Sequence, residues 1–304
     1  MSHEPPATEG YLSFAGYRTW YRVTGEREEP GKFPLLCLHG GPGVTWHHME
    51  PYTELAADGR RVICYDQLGC GNSAVTEPHE TSMWTTELYL AEVAAIRKEL
   101  GLDHCHVLGH SWGGMLGMAY AITKPPGLVS LLAQGAPASV PFAVAEIDKL
   151  RAELPPEAEE ILRRHEAAGT TDSEEYENAT TVFLDRHLCR VKPPDWLERT
   201  FAAVEANPEV YLTMWGPSEL HASGTLKDFD ITAELGAIEA PTLLFCGEFD
   251  EVTPATMAQA HTGIPGSQFI VLPGCSHMTQ AERPDLTLGL VRGWLAGVEA
   301  SLRG

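Results

Sequence analysis

Short apolar runs separated by helix-like segments limit the fold of this chain more than any other feature. Leu35 to Leu38, Val62 to Tyr65, Val107 to Leu108 and Leu128 to Ala133 read as buried strands. Between the second and third, Trp84, Leu88, Ala91 and Ala95 recur at three- and four-residue spacing, the expected inner stripe of an amphipathic helix. Strand texture returns with Thr242 to Cys246 and Gln268 to Leu272, and a helix-like segment from Pro284 to Ser301 closes the chain. Parallel neighbours need a crossover connection, so this βαβ order predicts a mostly parallel central sheet flanked by helices. From about Pro137 to Gly236 the texture changes to glutamate-rich helical stretches such as Ala152 to Ala168, with prolines at 155, 156, 193 and 194 and no convincing strand. The expected organisation is a core built from residues 1–136 and 237–304, with 137–236 inserted as a helical cap. At 304 residues the chain is long enough for both.

Gly109-His110-Ser111-Trp112-Gly113 matches the GxSxG nucleophile elbow. It sits where that motif needs to be, after the strand ending at Leu108 and before a helix-like run from Met115 to Ile122. Such a turn strains the serine backbone so that its hydroxyl projects, and the flanking glycines give the neighbouring strand and helix clearance. The setting predicts an α/β-hydrolase fold with Ser111 as nucleophile. A serine that only caps the helix is the bland alternative, and it is disfavoured by the strand before the turn.

A serine hydroxyl needs a histidine to take its proton, and that histidine needs a carboxylate to hold its tautomer. In this fold the partners follow in the order Ser, Asp, His. Asp250 lies just past the strand Thr242 to Cys246, and His277 follows the strand Gln268 to Leu272 after the turn Pro273-Gly274-Cys275-Ser276. Among thirteen histidines only His261 also follows Asp250, and it falls inside a helix-like run from Pro254. His39-Gly40-Gly41-Pro42-Gly43 follows the first clear strand, and its glycines allow backbone N–H groups to approach a ligand closely. One oxyanion donor is expected from this loop and the other from Trp112, the residue after the nucleophile.

Taken together, HGGPG, Tyr65-Asp66-Gln67-Leu68-Gly69-Cys70-Gly71-Asn72-Ser73, GHSWGG, Gly247-Glu248-Phe249-Asp250-Glu251-Val252-Thr253-Pro254 and Gly274-Cys275-Ser276-His277 resemble the proline iminopeptidase family. The resemblance touches nearly the whole core and thins between Pro137 and Leu212. It implies a serine aminopeptidase that releases an N-terminal residue, proline or a small amino acid, from a peptide or aminoacyl amide. It also implies that the loop donor is Gly41. The substrate's amino group would be held by an acid after the catalytic aspartate, here Glu251, and by one in a WGPSE segment, here Glu219. A buried ammonium needs opposed charge and acceptors, and two carboxylates supply both. Trp196, Phe201, Tyr211, Met214 and Trp215 are candidates to line the pocket, against the commoner role of such side chains in packing a core. Alternative readings are an amidase or an aminoacyl-removing hydrolase acting on a small metabolite, a carboxylesterase, or a catalytically silent binding protein on the same scaffold.

Composition excludes other classes. Forty-two acidic against twenty-one basic side chains give a formal charge of -21, which repels nucleic acid and anionic lipid alike. No segment reads as a membrane span, and Met1 to Gly10 lacks a basic patch and apolar run, so no secretory signal is expected. An odd cysteine count, with Cys37, Cys64 and Cys246 inside strand-like runs, fits a reducing cytoplasm. No CxxC pair occurs, and His104-Cys105-His106 reads as strand alternation; neither metal nor cofactor is expected. The oligomeric state is not legible.

Overall fold

The computed structural model describes residues 6–303. Its centre is an eight-stranded sheet in the order β1-β2-β4-β3-β5-β6-β7-β8. The strands are β1 (Ala7–Phe14), β2 (Tyr17–Thr24), β3 (Leu35–Leu38), β4 (Val62–Tyr65), β5 (Cys105–His110), β6 (Leu128–Gln134), β7 (Thr242–Gly247) and β8 (Gln268–Leu272). The pairs β1/β2 and β2/β4 are antiparallel, and every pair from β4 to β8 is parallel. β1 and β2 add an antiparallel edge that the apolar runs did not predict.

Strand side chains alternate between the two faces, and the two halves of the core follow that alternation. Leu36, Leu38, Ile63, Tyr65 and Val107 pack with helices α1 (Thr86–Glu99), α2 (Trp112–Ile122) and α8 (Pro254–Gly263). On the opposite face Leu35, Cys37, Val62, Cys64 and Leu108 pack with α10 (Pro284–Ser301) and the 3-10 helical stretch Trp46–Asp58. With both faces covered, β3 and β4 are continuous apolar runs with every residue buried.

The expected inner stripe of α1 is wrong by one position. Ala91 is exposed, Leu88 and Ala95 are half-buried, and Trp84 lies ahead of the helix. The buried face is Tyr89, Glu92, Val93, Ile96 and Arg97. Two charged residues belong to it because both are paired. Glu92 accepts from the Thr19 hydroxyl at 2.5 Å and the Leu68 N–H at 3.0 Å, while Arg97 donates to Tyr120 Oη at 2.8 Å.

Between β6 and β7 the chain forms α3 (Val140–Arg151), α4 (Pro156–Ala168), α5 (Glu174–His187), α6 (Asp195–Ala206) and α7 (Glu209–Met214). Ile147, Leu162, Tyr176, Phe183 and Leu220 make a small core of their own there. Val140, Val210, Met214 and Trp215 instead join the core beneath, tying this segment to the sheet. The short α9 (Thr279–Glu282) links β8 to α10. All seven cysteines are buried and unpaired. Among the described residues no helix is long and apolar enough to cross a membrane.

Candidate active site

Ser111 occupies the turn between β5 and α2 with φ 56° and ψ −125°, a left-handed conformation that costs a non-glycine residue energy. The turn closes tightly because its flanks lack side chains. A Cβ on Gly109 would lie 2.0 Å from the Gly113 carbonyl oxygen, and one on Gly113 would lie 2.1 Å from the Leu38 carbonyl oxygen. The Ser111 side chain caps nothing in α2, so the hydroxyl is not engaged as a helix cap.

Asp250 follows β7 and His277 follows β8, at the carboxyl ends of adjacent parallel strands. Both are buried. His277 Nδ1 donates to Asp250 Oδ1 at 2.7 Å, and the same oxygen accepts the Val252 N–H at 2.8 Å. This leaves His277 Nε2 as the free ring nitrogen, 3.8 Å from Glu251 Oε1. The end of α5 joins the two loops. The His187 carbonyl accepts from Glu251 N–H at 3.2 Å and from His277 N–H at 3.1 Å, and the His187 ring donates from Nδ1 to the Phe249 carbonyl at 2.9 Å. His261, the competing histidine, bonds Ser267 from α8 and takes no part.

The loop after β3 is held by imidazoles. Gln67 N–H donates to His39 Nε2 at 2.9 Å, so the ring proton of neutral His39 lies on Nδ1 and is donated to the Gly40 carbonyl at 3.0 Å. Burial lowers the His39 pKa to about 4, which keeps the ring neutral. With the Gly40 carbonyl held on one side, the Gly41 N–H of the same trans peptide points to the other. Trp112 is the first residue of α2, where N–H groups have no intrahelical acceptor. Its indole N–H donates to Gln67 Oε1 at 2.9 Å, linking the elbow to the same loop.

Gly41, Ser111, Trp112, Glu219, Glu251 and Trp215 line one cavity of about 20 Å³, room for little more than a water molecule. Glu219 Oε1 accepts from Tyr211 Oη at 2.7 Å. Glu251 is buried and, among the described residues, its Oε2 has no hydrogen-bond partner. Burial raises the Glu219 pKa against the Tyr211 hydrogen bond and the His277 charge. Glu251 is pushed well above the carboxylate range by burial and then by the Glu219 charge. Burial opposes a charge on His277, but Asp250, then Glu251 and Glu219, outweigh it and raise the pKa to about 9.

A model of the alpha/beta hydrolase fold matches residues 34–284. The proline iminopeptidase of Heyndrickxia coagulans is 38% identical over 292 residues, 96% of this chain and 99% of that protein. The chain belongs to the proline iminopeptidase family. The crystal structure of the proline iminopeptidase of Mycobacterium smegmatis superposes with a TM-score of 0.91 at 40% identity, covering 97% of this chain and 100% of that one. The crystal structure of VinJ gives 0.93 at 40% identity over the same shares. The protein is therefore a hydrolase of proline iminopeptidase type with the α/β-hydrolase fold.

Within this proline iminopeptidase-type site the pocket candidates separate. Trp215 lines the cavity, and Tyr211 acts on it through Glu219. Met214 is fully buried core, Phe201 is exposed, and Trp196 packs beside Leu188, Cys189 and Leu197. The sequence reading missed His187, His48 and the part played by Gln67. Gln67 had a signal, since it lies inside the Tyr65 to Ser73 motif; His187 meets the Phe249 carbonyl and His48 meets the His110 ring, each 62 residues away, and no local pattern marks that.

Proposed function

We propose that this protein releases an N-terminal residue, proline or a small amino acid, from a peptide or aminoacyl amide through an acyl-enzyme on Ser111. The observation that carries this reading is a pair of carboxylates, half-buried Glu219 and buried Glu251, lining the cavity that Ser111 also lines, with one Glu251 oxygen unpartnered among the described residues. Desolvated acceptors without a partner are costly, and a substrate ammonium offsets that cost. The name proline iminopeptidase, carried by relatives, supports a peptidase that acts on proline peptides.

In this reading the ammonium docks between Glu219 and Glu251 and sets how deeply the substrate enters. Its first carbonyl carbon then meets Ser111 Oγ, whose proton passes to His277 Nε2. Gly41 and Trp112 N–H groups hold the oxyanion, each contributing on the order of 3 kcal/mol. Collapse breaks the C–N bond, and the leaving amine takes the proton from His277. Water gives a proton to His277 and attacks the acyl carbon, and Ser111 leaves with that proton. Asp250 holds the tautomer and stabilises the imidazolium throughout. Residues 137–236 act as the cap, and because the cavity is so small, this segment shifts for substrate to enter. A cytoplasmic location goes with this reading, supported by seven unpaired cysteines.

Prolyl and alanyl amides and short peptides, assayed beside their N-acetylated forms, test the clamp. N-acetylation removes the charge that the two glutamates pair, so kcat/KM is expected to fall by about a hundredfold or more. Comparable rates with and without the acetyl group would overturn the reading. Within the same panel, faster turnover of aminoacyl amides of non-peptide amines than of peptides would move the substrate to a small metabolite.

A further inference from the structure

Two buried histidines, His48 and His110, do no chemistry in the reaction above, yet they stand between two of its parts. Gly40 N–H donates to His48 Nδ1 at 3.1 Å. His48 Nε2 and His110 Nδ1 are 2.7 Å apart. His110 Nε2 lies 3.1 Å from the His277 carbonyl oxygen.

Proton positions along this row follow from the two ends. An amide N–H can only donate, so His48 Nδ1 carries no proton and Nε2 does. A carbonyl can only accept, so His110 Nε2 carries its proton and Nδ1 is bare. The central contact is then His48 Nε2–H donating to His110 Nδ1, and both ends demand that same direction. Adding a proton to either ring would set two donors against each other. Both rings are fully buried, and their pKa values are lowered well below the usual histidine value by burial first and then by the charge on His277; His39 adds to this at His48 and His48 at His110.

Packing holds the row in place. A Cβ on Gly40 would come within 2.7 Å of His48 Cε1, so the ring fills the space the glycine leaves. His48 meets His110 edge to face with centroids 4.5 Å apart, and His110 lies against His277 at 4.4 Å.

We infer that His48 and His110 are positioning residues: a neutral, proton-ordered imidazole relay that holds the His39–Gly40 peptide, next to the one that carries the Gly41 N–H, in register with the backbone of His277. This rests on the proposed roles of Gly41 and His277. The relay ties the donor loop to the base across the elbow, so that donor, nucleophile and base share one set of hydrogen bonds. Oxyanion donors contribute most when they are already oriented, and small misplacements of reacting groups cost rate steeply.

The test is nitrogen-15 NMR of the histidine-labelled full chain, with the signals assigned from single variants. Both rings are expected as the Nε2–H tautomer, unchanged between about pH 6 and about pH 9. An Nδ1–H tautomer, or titration of either ring in that range, overturns the relay whatever the nucleophile proves to be. The second arm is kinetic. His48→Phe is expected to lower kcat by about ten- to a hundredfold with KM changed less than about threefold. His48→Gln, which can still accept from Gly40 and donate to His110, is expected to recover most of that loss. Binding of an aminoacyl aldehyde, which forms a tetrahedral adduct at Ser111, should weaken in step with kcat across the variants. A Phe variant with wild-type kcat, or a loss that Gln does not relieve, contradicts the inference.

Discussion

Glu251 Oε1 lies 3.8 Å from His277 Nε2, so the carboxylate proposed to hold the substrate also acts on the base. Asp250, then Glu251 and Glu219, raise the His277 pKa to about 9 against the opposing effect of burial. A protonated imidazole cannot accept from Ser111, so kcat/KM is expected to rise with pH along a limb well above the ordinary histidine value. A docked ammonium offsets the glutamate charges, and the limb in kcat should therefore lie at lower pH than the limb in kcat/KM. Glu251→Gln removes one of the charges that raise His277. Its kcat/KM limb is expected to move down in pH, and its KM for free-amine substrates to rise about tenfold or more. Profiles of pH against rate for both proteins check this; limbs that coincide would show that Glu251 does not act on the base.

At the scale of elements, α1 shows how a buried carboxyl positions a loop. Glu92 is fully buried and bonds Thr19 in β2 and Leu68 after β4. Burial raises its pKa to about 8, against the Thr19 and Leu68 bonds. Between the unfolded value near 4.5 and about 8, the folded state binds a proton that the unfolded state has released. Stability therefore falls as pH rises through that window. Glu92→Gln lacks this term, so from about pH 5 to about pH 8 wild type should lose on the order of 2 to 4 kcal/mol relative to the variant in urea denaturation. A constant difference across the window would contradict it.

The same helix marks the limit of reading structure from sequence. β3 to β7 were legible because each holds an apolar run that is buried, and β8, a half-exposed edge strand, because Phe269 to Leu272 is apolar throughout. Ser111, Asp250 and His277 stood out as candidates because each sits on a short motif after a strand, and the structure joins Asp250 to His277 by a hydrogen bond. The α1 stripe slipped because Glu92 and Arg97 belong to the buried face only through partners such as Thr19 and Tyr120, distant in the chain. β1 and β2 escaped notice for a related reason: Thr19 and Thr24 are buried beside Trp20 and Val23, so polarity does not alternate cleanly. In the inserted segment, residue type did not say which of Phe201, Met214 and Trp215 would face solvent, core or cavity.

On the scale of the whole molecule, the carboxyl ends of β3, β5, β7 and β8 lead into the site, and α3 and the turn after α7 add Ala143, Ile147, Trp215 and Glu219 to its cavity. A formal net charge of -21 gives a field that would favour the cationic amino terminus proposed as the recognised group. The central claim is that Ser111 carries the acyl group of a residue recognised by its ammonium. Intact-protein and peptide mass spectrometry of enzyme acid-quenched during turnover of a prolyl or alanyl ester tests it most directly. The account predicts a prolyl or alanyl adduct on the peptide containing Ser111, absent from Ser111→Ala and from the N-acetylated ester. An adduct on another residue, or turnover that survives in Ser111→Ala, would contradict it.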